Sequence, residues 1–186
     1  TLKSSIEKYT WIEVLGYLPP NKNFSLESRH LGLIPSFEMD SLKQKFDNLA
    51  DEIEKYIDVD RIIALSETEE IESNFDLETF INKYKVENKS IAIAYDKAFN
   101  FYYRENIELL EKLGLKIKYF SPMKDKEVPN ADYIYIGGGF PEIFPQELHD
   151  NKSMRESILN AHRKNIPIYA ECGGLMYLGE KLENQN

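Results

Sequence analysis

Cysteine is nearly missing from this chain: Cys172 is the only one in 186 residues. A single thiol excludes an intramolecular disulfide and every multi-cysteine zinc site. Histidine is almost as scarce. His30, His149 and His162 are scattered, which offers no spacing for a His-based metal centre, so no metal is expected. No apolar run approaches the ~20 residues that a membrane-spanning helix needs. Basic stripes of the kind that grip nucleic acid are also missing. The 23 Lys and Arg against 32 Asp and Glu give a net charge of −9, the wrong sign for a phosphate backbone or an anionic bilayer. The start, Thr1–Thr10, is polar and helical-looking, has no initiator Met and does not read as a secretory leader. Together these absences predict a cytoplasmic protein without nucleic-acid or membrane partners. What is present is ordinary for a folded chain, at 42% hydrophobic and 30% charged residues, too apolar for a disordered one. The length allows one full domain or parts of two.

Two regions differ in pattern. In the first, Val14–Pro20 reads as a short strand stopped by Pro19 and Pro20. Glu27–Pro35 is a charged pair followed by a second short apolar run. From Ser41 the period changes: Leu42, Phe46, Leu49, Ile53, Tyr56 and Ile57 recur at helical spacing, and Ser41 with Gln44 fits a capping box. A short helix is expected through Ile62, Ile63 and Leu65. Glu67, Glu69, Glu70 and Glu72 then crowd four acids into six positions, a linker signal. The predicted organisation is residues 1–66, a linker over 67–89, and a second domain over 90–186.

The second region alternates strands and helices. Strands are predicted at Ile91–Tyr95, Leu115–Phe120, Tyr133–Ile136 and Ile166–Ala170. Helices are predicted at Phe99–Leu113, stopped by Gly114, at Ser153 onward with Met154, Ile158 and Ala161 inward, and from Leu175. Leu115–Phe120 alternates apolar residues with lysine, as a strand near an edge does. This order implies an α/β fold, a parallel sheet flanked by helices.

Chemistry concentrates where a predicted strand runs into Glu171-Cys172-Gly173-Gly174-Leu175. A cysteine at a strand-to-helix corner followed by two glycines has the layout of a nucleophile elbow. It places the side chain at the carboxyl edge of the sheet, where open α/β folds bind ligands. The following helix start favours thiolate over thiol. A lone cysteine is ordinarily a small buried filler, but a filler needs no Gly-Gly at such a junction. Gly137-Gly138-Gly139-Phe140-Pro141-Glu142 follows another buried strand. Its amides could face an anion or a developing oxyanion, or form a plain turn. As a phosphate loop it is weak, because no lysine follows and the GxxxxGK(S/T) pattern is absent. Paired with the elbow, Gly139 and Gly173 would be the two oxyanion donors. Asp96–Tyr103 lies at the same sheet edge, with aromatic packing and an Asp96 cap set against substrate contact. Arg29-His30 could bind an anion or be solvated, and His149 and His162 read as helix surface.

These segments together resemble one family. Ala94–Tyr103 (AYDKAFNFYY), Phe120-Ser121-Pro122, Gly137–Glu142 (GGGFPE) and Ala170–Leu178 (AECGGLMYL), with Gly16–Pro19 and Arg29–Leu33 upstream, are similar in order to the cobyrinic acid a,c-diamide synthases. The nickel-sirohydrochlorin a,c-diamide synthases of methanogens look alike over these motifs. The resemblance implies a P-loop synthetase domain that uses ATP and Mg²⁺ to activate acetate side chains of a tetrapyrrole acid. It also implies a flavodoxin-like class I glutamine amidotransferase domain that supplies ammonia. Residues 1–66 would close the synthetase domain and residues 90–186 would open the amidotransferase domain. Cys172 would be the glutaminase nucleophile, with Gly138, Gly139 and Gly173 around the glutamine amide. Arg29, His30, Asp96 and Tyr103 are candidate substrate or interface residues. The family's P-loop precedes these segments and its histidine lies well downstream of the cysteine. None of the 14 residues after Cys172 is histidine. The expectation is therefore an internal piece that binds no cofactor and turns over no glutamine alone. Its exposed sheet edge would invite homo-oligomers. Against this stand a different cysteine hydrolase on the same sheet and a non-catalytic, partner-binding α/β domain.

Overall fold

The computed structural model describes residues 1–26, 34, 36, 39–69 and 74–181. The chain forms two compact units, Thr1–Glu72 and Ser73–Asn186.

In the first unit, helix α1 spans Leu2–Thr10, α2 Leu42–Tyr56 and α3 Val59–Ser66. The hydroxyl of Thr1 caps α1 by accepting from Ser4 N–H, and the Asp58 carboxylate caps α3 by accepting from Arg61 N–H at 3.0 Å. The capping box expected at Ser41 does not form. Ser41 is left-handed at φ 57° and its side chain makes no cap bond, while the Gln44 amide donates to Asn48. The strand expected at Val14–Pro20 is reduced to one antiparallel bridge between Gly16 and Ile57, supported by Asp58 N–H donating to Leu15 C=O and by an Arg61–Glu13 ion pair of 2.9 Å. Two consecutive prolines leave no donors for a longer ladder. None of the described residues of this unit is buried, and Phe46 on the apolar stripe of α2 is 51% exposed.

The second unit carries the sheet. Helix α4 spans Leu77–Tyr84, inside the stretch expected as linker, and is capped by Asp76, whose carboxylate accepts from Glu78 N–H and Thr79 N–H. Strand β1 (Ser90–Ala94), helix α5 (Arg104–Lys112), β2 (Lys116–Phe120), β3 (Tyr133–Ile136), helices α6 (Pro145–Asp150) and α7 (Lys152–Arg163), β4 (Ile168–Ala170) and helix α8 (Gly173–Tyr177) follow. All strand pairs are parallel and the order is β2-β1-β3-β4. This is an α/β fold with β2 on an edge, as its alternating lysines predict.

Period-two alternation divides the core between the faces. Ala92, Ala94, Ile134 and Ile136 point to one side and pack with Met154, Ile158 and Ala161 of α7. Burying Met154 and Ile158 contributes roughly 1.5–3 kcal/mol apiece. Ile91, Ile93 and Tyr135 point to the other side, toward Ile107 and Leu110 of α5. After β1 the chain runs out to β2 and then returns to the far side of β1 as β3. The carboxyl ends of β1 and β3 therefore flank the reversal point where such sheets open a crevice.

The helix predicted over Phe99–Leu113 begins five residues late, at Arg104. The Asp96 carboxylate accepts from Ala98 N–H and Phe99 N–H, and Asn100 N–H and Phe101 N–H both donate to Gly138 C=O at 3.1 Å. The Asp96 bonds have the form of a helix cap, but Asn100 N–H and Phe101 N–H, given to Gly138, cannot reach back to the Asp96 and Lys97 carbonyls as a continuing helix requires.

Candidate active site

Three loops meet at the carboxyl edge of the sheet: residues 95–103 after β1, residues 137–141 after β3, and Glu171-Cys172 after β4. Cys172 takes φ 50° and ψ −119°, a backbone region that is strained for any residue but glycine. A sharp turn of this kind pushes a side chain out at a strand-to-helix corner, and Cys172 is exposed. The corner is held by its neighbours: Glu171 N–H donates to Ile136 C=O at 3.1 Å, and Gly174 N–H donates to Gly137 C=O at 3.0 Å. A side chain at Gly174 would place its Cβ 2.1 Å from the Ile136 oxygen, so only glycine closes this approach.

The glycine turn lies directly beside the sulfur. A Cβ built on Gly138 would be 3.7 Å from Cys172 Sγ. Gly139 has φ 154°, and a Cβ there would fall 2.0 Å from the Ala98 carbonyl oxygen. Among the described residues, neither Gly139 N–H nor Gly173 N–H has a protein acceptor. Gly138, Gly139, Gly173 and Cys172 thus come together as one cluster.

The other candidates are placed differently. The Asp96 carboxylate is fully engaged: one oxygen accepts from Ala98 N–H and Phe99 N–H, the other from Ser121 Oγ at 2.7 Å and Met123 N–H at 3.0 Å. It binds the loop after β1 to the loop after β2. Tyr103 is 76% exposed at the start of α5 and makes no side-chain cap bond. Arg29 and His30 lie outside the described residues. His149 and His162 are exposed on α6 and α7, as read from the sequence.

Sequence reasoning missed Tyr102 and Glu171. The Tyr102 hydroxyl donates to Ala94 C=O and accepts from Gly137 N–H at 2.8 Å. Burial pushes its phenol well above the ordinary tyrosine range, so the hydroxyl keeps its proton. Glu171, next to the cysteine, accepts from Tyr135 OH at 2.5 Å and Tyr169 OH at 3.1 Å. Burial first, and then the Glu171 carboxylate, push the Tyr135 phenol up as well. The only signal for either residue was the run of aromatics around the strand ends.

Among the described residues no group of three or more His, Cys, Asp or Glu is placed to hold a metal ion, and no helix is long and apolar enough to cross a membrane. The parallel sheet, with this cluster at its carboxyl edge, is an α/β domain of the class I glutamine amidotransferase type. Residues 90–186 match the CobB/CobQ-like glutamine amidotransferase domains, and the chain belongs to that family. Curated relatives carry the name cobyrinate a,c-diamide synthase. That of Listeria innocua serovar 6a is 51% identical over 185 residues, covering 98% of this chain and 40% of the relative. That of Clostridium tetani is 50% identical over 187 residues, covering 100% and 41%. That of Methanocaldococcus jannaschii is 45% identical over 174 residues, covering 93% and 38%. The chain therefore spans about 40% of the length of these relatives.

Proposed function

We propose that this chain supplies the glutamine-hydrolysing nucleophile of a cobyrinate a,c-diamide synthase, Cys172, in a protein that transfers the released ammonia to acetate side chains of a tetrapyrrole acid. One observation carries the reading. Cys172, at a strained positive φ, puts its sulfur beside the Gly138 backbone, and the amides that follow these two residues in the chain, Gly139 N–H and Gly173 N–H, have no acceptor among the described residues. The family and the 45–51% identity to the named synthases support the substrate assignment.

In this reading the thiolate attacks the side-chain amide carbon of glutamine. A C–S bond forms and the carbonyl electron pair moves onto oxygen, where the Gly139 and Gly173 amides receive it. The oxyanion collapses, the C–N bond breaks, and ammonia leaves with a proton taken from the base that deprotonated the thiol. Water then hydrolyses the glutamyl thioester, releasing glutamate and restoring Cys172. That base would be a histidine of the longer protein, outside these 186 residues.

The ATP and Mg²⁺ implied for carboxylate activation find no fit among the described residues. The glycine turn leads into Phe140-Pro141 and not into the Lys-Ser/Thr of a phosphate loop, and no group of three or more His, Cys, Asp or Glu among the described residues is placed to hold a metal ion. Nucleotide chemistry is therefore assigned to the synthetase part of the longer protein and no step here runs through it.

The test is mass spectrometry of the full-length protein after exposure to a diazoketone analogue of glutamine. The expected result is a single adduct on Cys172 that excess glutamine blocks. A folded protein without that adduct would leave the non-catalytic reading in its place.

A further inference from the structure

Three consecutive peptide planes form the glycine turn, and each is fixed by bonds from the elbow after β4, from the loop after β1, or from both. The Ile136–Gly137 plane is held at its carbonyl by Glu171 N–H and at its amide by Tyr102 OH, the latter at 2.8 Å. The Gly137–Gly138 plane is held at its carbonyl by Gly174 N–H at 3.0 Å. The Gly138–Gly139 plane is held at its carbonyl by Asn100 N–H and Phe101 N–H, each at 3.1 Å. A trans peptide is planar, with its C=O and N–H pointing in opposite directions. Fixing Gly138 C=O toward residues 100–101 therefore aims Gly139 N–H the opposite way, away from the loop after β1.

The loop that does this is itself tied to the sheet by one side chain. Tyr102 OH donates to Ala94 C=O, at the end of β1, while accepting from Gly137 N–H, at the start of the turn. A Cβ on Gly137 would sit 2.5 Å from the Tyr102 ring, so the ring is seated directly against this peptide. Phe101 and Asn100 lie one and two residues before it. The T-shaped contact of Phe101 with Phe140, centroids 5.1 Å apart, closes the far side. A phenol that keeps its proton can play donor and acceptor at once.

We propose that Tyr102 is a positioning residue for glutamine hydrolysis, its hydroxyl locking the loop after β1 onto the glycine turn so that Gly139 N–H is aimed at the developing oxyanion. This rests on the glutaminase reading of Cys172. The hydroxyl touches no reacting atom and acts through the turn, so its loss misdirects a donor without removing the nucleophile.

The test compares Tyr102→Phe with the wild type in the full-length protein. Three rates are read: glutamine hydrolysis, amidation from free ammonia, and alkylation of Cys172 by iodoacetamide, which builds no oxyanion. Losing an oxyanion donor outright lowers kcat by about 10²–10³, so a misdirected one is expected to lower kcat for glutamine by about 10–100-fold, with KM for glutamine, ammonia-dependent amidation and alkylation held near wild type. Unchanged hydrolysis, or a parallel fall in all three rates, would overturn the assignment. Should Tyr102→Phe fail to fold, p-aminophenylalanine at position 102 decides. It keeps the ring and a group that both donates and accepts, and it should retain most of the hydrolysis. A folded p-aminophenylalanine variant that loses all three rates together overturns the proposal. A wild type that hydrolyses no glutamine and takes no adduct on Cys172 would sink the glutaminase reading itself, a result separate from any effect at Tyr102.

Discussion

The amide of Gly174 donates to the carbonyl of Gly137 at 3.0 Å, so the helix after the cysteine is tied to the turn after the neighbouring strand. The approach is too close for any side chain. A Cβ at Gly174 would lie 2.1 Å from the Ile136 oxygen and 2.8 Å from the Gly137 oxygen. Alanine ordinarily favours a helix over glycine by about 1 kcal/mol, but forcing a methyl against two fixed carbonyls costs about 1–3 kcal/mol or more. The clash should win, and Gly174→Ala should lower stability by about 2 kcal/mol in urea unfolding. A variant as stable as wild type would mean that the corner can open.

The cysteine itself sits where glycine would be more comfortable. At φ 50° and ψ −119° a side chain costs about 1–3 kcal/mol. Glycine loses only about 0.5–1 kcal/mol to its extra freedom in the unfolded chain. Cys172→Gly is therefore expected to be more stable than Cys172→Ala by about 1 kcal/mol, the reverse of the usual order. Equilibrium urea titration of the two variants checks this, and an alanine variant at least as stable would remove strain from the account of the elbow.

Much of this architecture was legible because local and global preferences agree. Tyr133–Ile136 is a buried apolar run and forms β3 over those same residues, and Met154, Ile158 and Ala161 face inward on α7 as their spacing predicts. Gly114 ends α5 with φ 94°. The elbow could be read because Gly-Gly after a strand-end cysteine has few other uses. The stretch Phe99–Tyr103 could not be read, because its aromatic spacing suits a helix while the amides of Phe101 and Asn100 are taken by Gly138, a partner 37 and 38 residues away. Helix α4 was hidden in an acidic stretch, although Asp76 and Thr79 carried its capping signal. Tyr102 showed in the sequence only as one aromatic among many. Its importance lies in two backbone groups brought to its hydroxyl from β1 and from the turn after β3.

Tyr177 offers a prediction in pH. Among the described residues its hydroxyl is buried without a hydrogen-bond partner, and burial pushes its pKa up to about 12. At neutral pH, removing an unsatisfied hydroxyl relieves a desolvation penalty, so Tyr177→Phe should be as stable as wild type or more stable by about 1 kcal/mol. In alkali the sign follows from proton counting. The unfolded phenol loses its proton near its ordinary pKa of about 10, while the folded one holds it to about 12. Between these values the unfolded state binds fewer protons, so stability falls as pH rises. The fall should be shallower in Tyr177→Phe, with Tyr102 and Tyr135 keeping part of it because burial raises both. Urea midpoints measured from pH 9 to 12 decide it; identical slopes would show that Tyr177 is solvated.

Replacing the proposed nucleophile, Cys172, should separate the two sources of ammonia. Cys172→Ser keeps a small polar group at the corner but replaces a thiol by a hydroxyl that is far less readily ionised and less nucleophilic. In the full-length protein, glutamine-dependent amidation should fall at least a thousandfold, while amidation from added ammonium chloride stays within about twofold of wild type. In the proposed reaction the ammonia route would bypass the thioester and so would not need the sulfur. Loss of both activities together would show that Cys172 holds the fold or the domain contact and not the glutamyl group. Retention of glutamine-dependent activity would place the nucleophile elsewhere, which within this chain is impossible for a thiol, since Cys172 is the only cysteine.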